Sequence, residues 1–487
     1  MTSIPADSVA SARVGIATLP PSYPPADTPP GSGDVAGALD RLASTLGWSA
    51  AGRGAFGAVV PDGARVLVKP NWVLHENQVP FGLDPLVTHP SLIRAVVDAL
   101  LAGRPGSVVV GDAPIQGCDF ERLLERCAIT PWAESLAASD PRFGGTRDFR
   151  RTKLTWHGAV RESARDQRPM EHFVLFDLGG ESLLEPITGD DSSFRVTLYP
   201  PALMRRTHAP GRHQYLIARE VLEADVVVNL PKLKTHKKAG VTCALKNLIG
   251  INGNKEFLPH HRVGGSASGG DCYPGGSPVK RTLEYVYDLQ NSTDAEVPQL
   301  MLTAASRVLQ KVAHMSGDRL GVEGSWSGND TIWRTCLDLN RILLYGRPDG
   351  TLADEPQREV LNVVDAVVAG QGDGPLAARP LPLGLLVGGQ SSAAVDWACA
   401  HLLGYDPTLI PIAREAFGRF QWPLTSFPPS AVRLVGDLGE GTADEILSRR
   451  EIPGPVAYPL GWLDAVAPHR RQAGGAVAAP GGAPSEA

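Results

Sequence analysis

The lysines at positions 232, 234, 237, 238, 246 and 255 carry the clearest chemical signal: six within 24 residues of a chain that has 10 lysines against 36 arginines. An ammonium is a compact charge whose pKa burial can move, whereas a guanidinium is a permanently charged planar fork. A composition that prefers arginine elsewhere is reversed here, which points to a need for an amine or an ammonium. The run DVVVNLPKLKTHKKAGVTCALKNLIGINGNKEFLPHHR, residues 225–262, sets these lysines among His236, His260 and His261. Lys232, Lys234, Lys237 and Lys238 would neutralise a carboxylate or phosphate electrostatically. His236 or Lys246 would move a proton, with Lys234 as a third catalytic candidate. Lys246 stands beside Asn247 on a mostly apolar stretch. A lysine buried there loses basicity and becomes a usable base or nucleophile. Asn247 and Lys255 join the substrate-binding set.

Chemistry of this kind needs elements that hold it in place. Residues 225–230 read as a buried strand that breaks at Pro231, and residues 241–249 as a short helix. Other apolar runs at 65–70, 107–110 and 360–368 also stop at polar or glycine positions: Lys69 and Asn71, Asp112, and Asp365 with the Gly370 to Gly374 loop. The 65–70 strand, a helix opened by Thr88-His89-Pro90 and the 107–110 strand form a βαβ unit, which implies a parallel sheet with a right-handed crossover. In such a sheet the carboxyl ends of the strands face one crevice. Lys69, Asn71, Asp112, Lys234, His236 and Asp373 are therefore expected to converge there. The fold class is α/β, a mostly parallel open sheet with helices on both faces. A mixed insertion is expected around 115–210 and a helical one around 270–350. Residues 1–12 read as frayed, 13–466 as the folded domain, and 467–487 as a disordered Gly/Ala/Pro tail.

Composition excludes several classes. With 43% hydrophobic and 20% charged residues the chain is an ordinary globular protein, and its net charge of −6 disfavours nucleic acid as a partner. The six cysteines include no C-x-x-C pair, so no iron–sulfur cluster or zinc ribbon is expected, and they read as reduced thiols. No signal peptide and no apolar run long enough to span a bilayer is seen, which gives a cytoplasmic expectation and no membrane partner. No P-loop is present. The partners expected are a small anionic molecule and further copies of this chain. The cofactor is left open, with a divalent metal as one option: His260 and His261, with His236 and either Asp112 or Asp271, are the candidate ligands.

The motifs VLVKPNWV (66–73), VVVGDAP (108–114), VVNLPKLKTHKKAGVTCALKNLIG (227–250), VVDAVVAGQGDGP (363–375) and AAVDWACAHLLG (393–404) resemble domain-of-unknown-function family 362 and occur in its order. Many members carry a C-terminal ferredoxin-like module that is missing here. The resemblance implies architecture more than reaction. The 231–250 stretch is also similar in layout to the nickel-pincer lactate racemase superfamily. Its histidine, glycine turn, cofactor-holding lysine and later metal-binding histidine would fall on His236, Gly240, Lys246 and His260 or His261. Ala244-Leu245 stand where that superfamily has a glycine pair, and no cofactor is carried over. The leading expectation is an enzyme using acid/base chemistry (isomerase, epimerase or group transfer) on a small anionic biosynthetic substrate. The alternatives are a metal- or redox-linked enzyme using His236, His260 and His261, and a non-catalytic protein binding a polyanion or nucleotide sugar.

Overall fold

The central strands form because their β-branched residues alternate between two cores. Val66, Val68, Val226 and Val228 pack on one side of the sheet with Leu92, Ile93, Val96 and Val97 of the Pro90–Leu101 helix. Leu67 and Val227 face the other side, with Leu339, Ile342 and Leu343 of the Ile332–Tyr345 helix. Both faces are thus covered by helices, the condition under which parallel strands become apolar throughout. The computed structural model describes residues 12–23, 34–153, 156–157, 160–161, 165–189, 193–293, 295–315, 318–448 and 454–468. Nearly all of the expected frayed start and tail lies outside them.

The main sheet runs in the order Gly441–Thr442, Arg433–Gly436, Arg13–Thr18, Arg379–Gly389, Glu359–Gln371, Val226–Leu230, Arg65–Pro70, Ser107–Asp112 and Phe143–Asp148. From Glu359–Gln371 to Phe143–Asp148 every pairing is parallel. Arg379–Gly389 is antiparallel to both of its neighbours. The sheet is mixed α/β and mostly parallel, as the pattern of strands and helices implied. Phe143–Asp148 extends this sheet, although the sequence reading put residues 115–210 in an insertion. Smaller pairings, such as Phe173–Asp177 with Arg212–Ala218, make up the rest of that region. The helical expectation for 270–350 corresponds to Pro278–Ser292, Glu296–Met315 and Ile332–Tyr345.

The lysine run folds differently from its sequence pattern. Pro231 ends one strand, but Lys232–His236 begins another at once. This second strand lies parallel to Glu359–Gln371 and antiparallel to Gly240–Thr242. The expected helix shrinks to Ala244–Asn247 and continues as a 3₁₀ turn, Leu248–Ile251. The Pro90–Leu101 helix is capped as its sequence suggested, by His89 accepting from the Ser91 amide, with proline in the first turn.

Candidate functional site

At the carboxyl ends of the parallel strands lies a cavity of about 410 Å³. Lys234, His236, Lys237, Lys238, Lys246, Lys255, His260, Asn71, Asp112 and Asn247 all line it. The register of the Lys232–His236 strand decides which lysine enters. Lys232 pairs with Asp365 and Lys234 with Gly370, so the ladder slips between them. Lys232 stays inside the sheet, where its Nζ is 2.7 Å from Asp365 Oδ2 and 2.6 Å from the Tyr23 hydroxyl. Lys234 reaches the cavity, and among the described residues its ammonium makes one hydrogen bond, to the Leu86 carbonyl at 2.6 Å. Gly370 is needed here, because a Cβ would lie 2.7 Å from that of Lys234 and 2.6 Å from the Pro85 carbonyl oxygen.

Asp112 lines the cavity but is already paired with Lys69, whose Nζ is 2.7 Å from Asp112 Oδ1. The other carboxylate oxygen accepts from the Trp72 amide at 2.7 Å. A Cβ at Gly250 would sit 2.0 Å from Asp112 Oδ1, so that glycine makes room for the pair. Lys69 itself is buried and does not reach the cavity. Asn247 bridges the wall, accepting from Asn71 at 3.0 Å and donating to Asn229 at 2.7 Å.

The remaining lysines have little acid around them. Lys246 and Lys255 bond through their backbones, but among the described residues their ammonium groups have no hydrogen bond or ion pair. Glu323 is the exception: it stands 2.6 Å from Lys237 Nζ and 3.5 Å from Lys238 Nζ. Burial raises the Glu323 pKa, but the charges of Lys238 and Lys237 outweigh it and hold the carboxyl at about 2. Burial and then Lys232 and Lys246 push Lys234 well below an ordinary lysine. Lys246 is lowered mainly by burial. Burial, Lys246 and Lys238 bring half-buried Lys255 down to about 7.

The two histidines that face the cavity are held in opposite tautomers. His236 Nδ1 accepts from the Lys238 and Ala239 amides at 3.0 and 3.1 Å, so the proton of the neutral ring is on Nε2. His260 Nδ1 lies 2.7 Å from the Leu258 carbonyl oxygen, which can only accept, so Nδ1 carries the proton and Nε2 keeps its lone pair. Burial, then the surrounding lysines, holds both rings far below the usual histidine pKa. One ring offers a proton and the other a lone pair.

Three candidates fall elsewhere besides Lys69 and Lys232. Asp373 is exposed at the tip of its loop, while Pro375 and Leu376 of the same loop reach the cavity. His261 faces a second cavity of about 1150 Å³, on the other side of Glu323 from His260. His260 lines the first cavity and His261 the second, so the two adjacent rings do not form a ligand pair. Asp271 holds the Thr331 hydroxyl at 2.6 Å and the Asp330 amide at 3.0 Å. Among the described residues no group of three His, Cys, Asp or Glu side chains is placed to hold a metal ion. The amides of Gly372 and Gly374 bond to the Ala457 and Gly372 carbonyls, so neither is free for an anion.

Glu323, Thr197, Thr242 and Arg150 also line the cavity and went unnoticed in the sequence. Thr242 stands inside the lysine run two residues after Gly240, where the alternation of a short strand could have found it. Arg150, buried against Asp148 and the Ile115 and Cys118 carbonyls, is a wall element.

With this geometry in place, the comparisons agree with the motifs. The model of the domain of unknown function DUF362 matches residues 66–159 and 201–401, and the chain belongs to that family. It is 22% identical over 204 residues to the thylakoid-associated protein sll1697 of Synechocystis sp., a match covering 42% of this chain and 40% of that protein. A crystal structure of a Thermotoga maritima protein aligns at 10% identity with a TM-score of 0.25, over 71% of this chain and 52% of that one. No described helix is long and apolar enough to cross a membrane. All six cysteines are buried and free.

Proposed function

We propose that this protein is an enzyme that moves a proton on a small carboxylate- or phosphate-bearing substrate. The observation that carries the reading is the cavity itself, where Lys234, Lys246 and Lys255 lack acidic partners beside two neutral histidines of complementary tautomer. Lysine charges buried without counter-ions are costly unless an anion completes them. The bound anion would also lift the repulsion that keeps protons off the histidines, so His260 Nε2 gains basicity when the substrate arrives. His260 Nε2 would then take the substrate proton while the Nε2–H of His236 returns one to another position or face. Lys234 and Lys246 would hold the anion and stabilise charge that develops on it. A cavity of about 410 Å³ suits a metabolite rather than a polymer, which favours this reading over polyanion binding.

The test is solvent-exchange NMR. A panel of small carboxylates and phosphates is incubated with the protein in deuterium oxide, and loss of carbon-bound proton signal is followed. At least one member should exchange, with the rate falling 100-fold or more in His236→Ala and in His260→Ala, on the order expected for losing a general acid or base. Exchange that survives both substitutions would sink the proposal.

A further inference from the structure

The cations that line the cavity form a row anchored at two different places. Lys234 Nζ donates to the Leu86 carbonyl at 2.6 Å, whereas Lys238, four residues further on and past the end of the Lys232–His236 strand, donates to the Thr197 hydroxyl at 3.1 Å. The lining thus runs from Lys234 on the strand to Lys238 and Lys237 beside the loop that carries Glu323. Glu323 is the one cavity-lining acid paired with this row, and it sits at the far end, 2.6 Å from Lys237 and 3.5 Å from Lys238. Asp112, the other acid in the lining, is held by Lys69 outside the row. Four lysines therefore share at most part of one carboxylate.

A ligand with one anionic group answers one end of such a row and leaves the other charges buried and uncompensated. His236 stands between the ends. It lies two residues beyond Lys234 on the same face of the Lys232–His236 strand, and its Nδ1 accepts from the amide of Lys238 at 3.0 Å. His260 lines the same cavity, so the groups suited to move a proton share it with both anchored lysines.

We infer that the cavity takes a small molecule with two separated anionic groups, a dicarboxylate or a phosphorylated carboxylate, whose reacting centre lies between them. One anionic group sits against Lys234 and Lys246 beneath the strand ends. The other sits against Lys238 and Thr197, whose hydroxyl already receives the Lys238 ammonium at 3.1 Å. This deepens the anion-site reading proposed above and rests on it.

Matched probes separate the two claims. Succinate and glutarate are titrated calorimetrically against butyrate and valerate, and 3-phosphoglycerate against glycerol 3-phosphate, at constant ionic strength. The better dianion is expected to bind about thirtyfold tighter than its one-ended counterpart, the scale of one added charge-assisted contact. Lys238→Met should bring the two within about threefold, whereas Lys246→Met should weaken both members of a pair; these figures follow the same scale. If every pair binds wild type within about threefold on that scale while depending on Lys246, the two-ended substrate is refuted and the anion site stands. If no probe binds, or none depends on Lys246, the anion site falls and this inference with it. Should Lys238→Met fail to fold, the wild-type pairs alone decide.

Discussion

Two sets of buried lysines lie around the carboxyl ends of the same parallel strands and are built in opposite ways. Lys69 and Lys232 are shut inside the sheet, each with a carboxylate at 2.7 Å, and neither reaches the cavity. Lys234 and Lys246 are just as enclosed by protein but face the cavity without an acid. The first set belongs to the scaffold. The second has a charge left over, which only a ligand can complete. Buried charge by itself does not mark a functional site; buried charge that the fold leaves uncompensated does.

Substitutions in the two sets should move stability in opposite directions. Asp365 receives Lys232 and the His89 amide at 2.7 and 2.8 Å, so Asp365→Ala strands a buried ammonium. The expected loss is about 3–5 kcal/mol by equilibrium urea unfolding. A loss under about 1 kcal/mol would mean that the sheet lysine tolerates isolation and that the contrast is false. Lys234→Met is the converse case. It removes an unpaired charge and keeps the apolar stem, so stability in anion-free buffer should rise by roughly 1–3 kcal/mol. Affinity for succinate should fall at least about tenfold at the same time, for want of one charged contact. A Lys234→Met protein that is both less stable and unchanged in binding would place Lys234 with the scaffold.

The scaffold was legible because periodicity reports it. Val66 to Val68 and Val226 to Val228 alternate between two cores, and that alternation is visible in the order of residues. The lysine run was legible as an anomaly of composition. What could not be read was which of its lysines enter the cavity. Lys232 and Lys234 look alike in sequence, and the slip that separates them is a property of pairing with a strand more than 130 positions away. Asp373 ended a run much as Asp112 did, but its loop turns it outward. Glu323 had no signal, since it lies in an irregular connection between Glu296–Met315 and Ile332–Tyr345 and acquires its role only when that connection folds over Lys237. His260 and His261 read as a pair because they are adjacent, but the chain enters the His261–Arg262 strand between them and their side chains line different cavities.

The pH dependence sharpens the contrast at smaller amplitude. In the folded protein Lys255 titrates at about 7, against 10.5 for an ordinary lysine. Lys234, Lys238 and Lys246 are lowered in the same direction. Across the interval between those values the unfolded chain binds more protons than the folded one, so stability must rise with pH. Without anions, the melting temperature of wild type should climb by about 1–2 °C relative to that of Lys255→Met between roughly pH 7 and 8.5; the comparison cancels the thiols that unfolding exposes, which ionise in the same range. Succinate should flatten the difference, because a bound anion restores the lysine pKa values. Differential scanning calorimetry reads both. A wild type that gains nothing over Lys255→Met across this interval would show that Lys255 is not held below its ordinary value.

Glu323 tests the boundary between the two sets, and its effect should be the smallest. Its carboxylate gives Lys237 and Lys238 a partial partner, so this end of the row resembles the scaffold pairs more than Lys234 does. Lys237 is about one-third exposed, which lets solvent screen much of the interaction. If Glu323 competes with the ligand for these lysines, Glu323→Gln keeps the shape, frees the charge and tightens succinate by about threefold, with a steeper dependence on salt. If Glu323 instead aims the lysines, the same substitution weakens binding, since long side chains released from a partner lose their orientation. The first outcome keeps the row uncompensated along its length, as the two-ended substrate requires. The second makes Glu323 part of the binding surface and shifts the ligand's distal group toward Lys255.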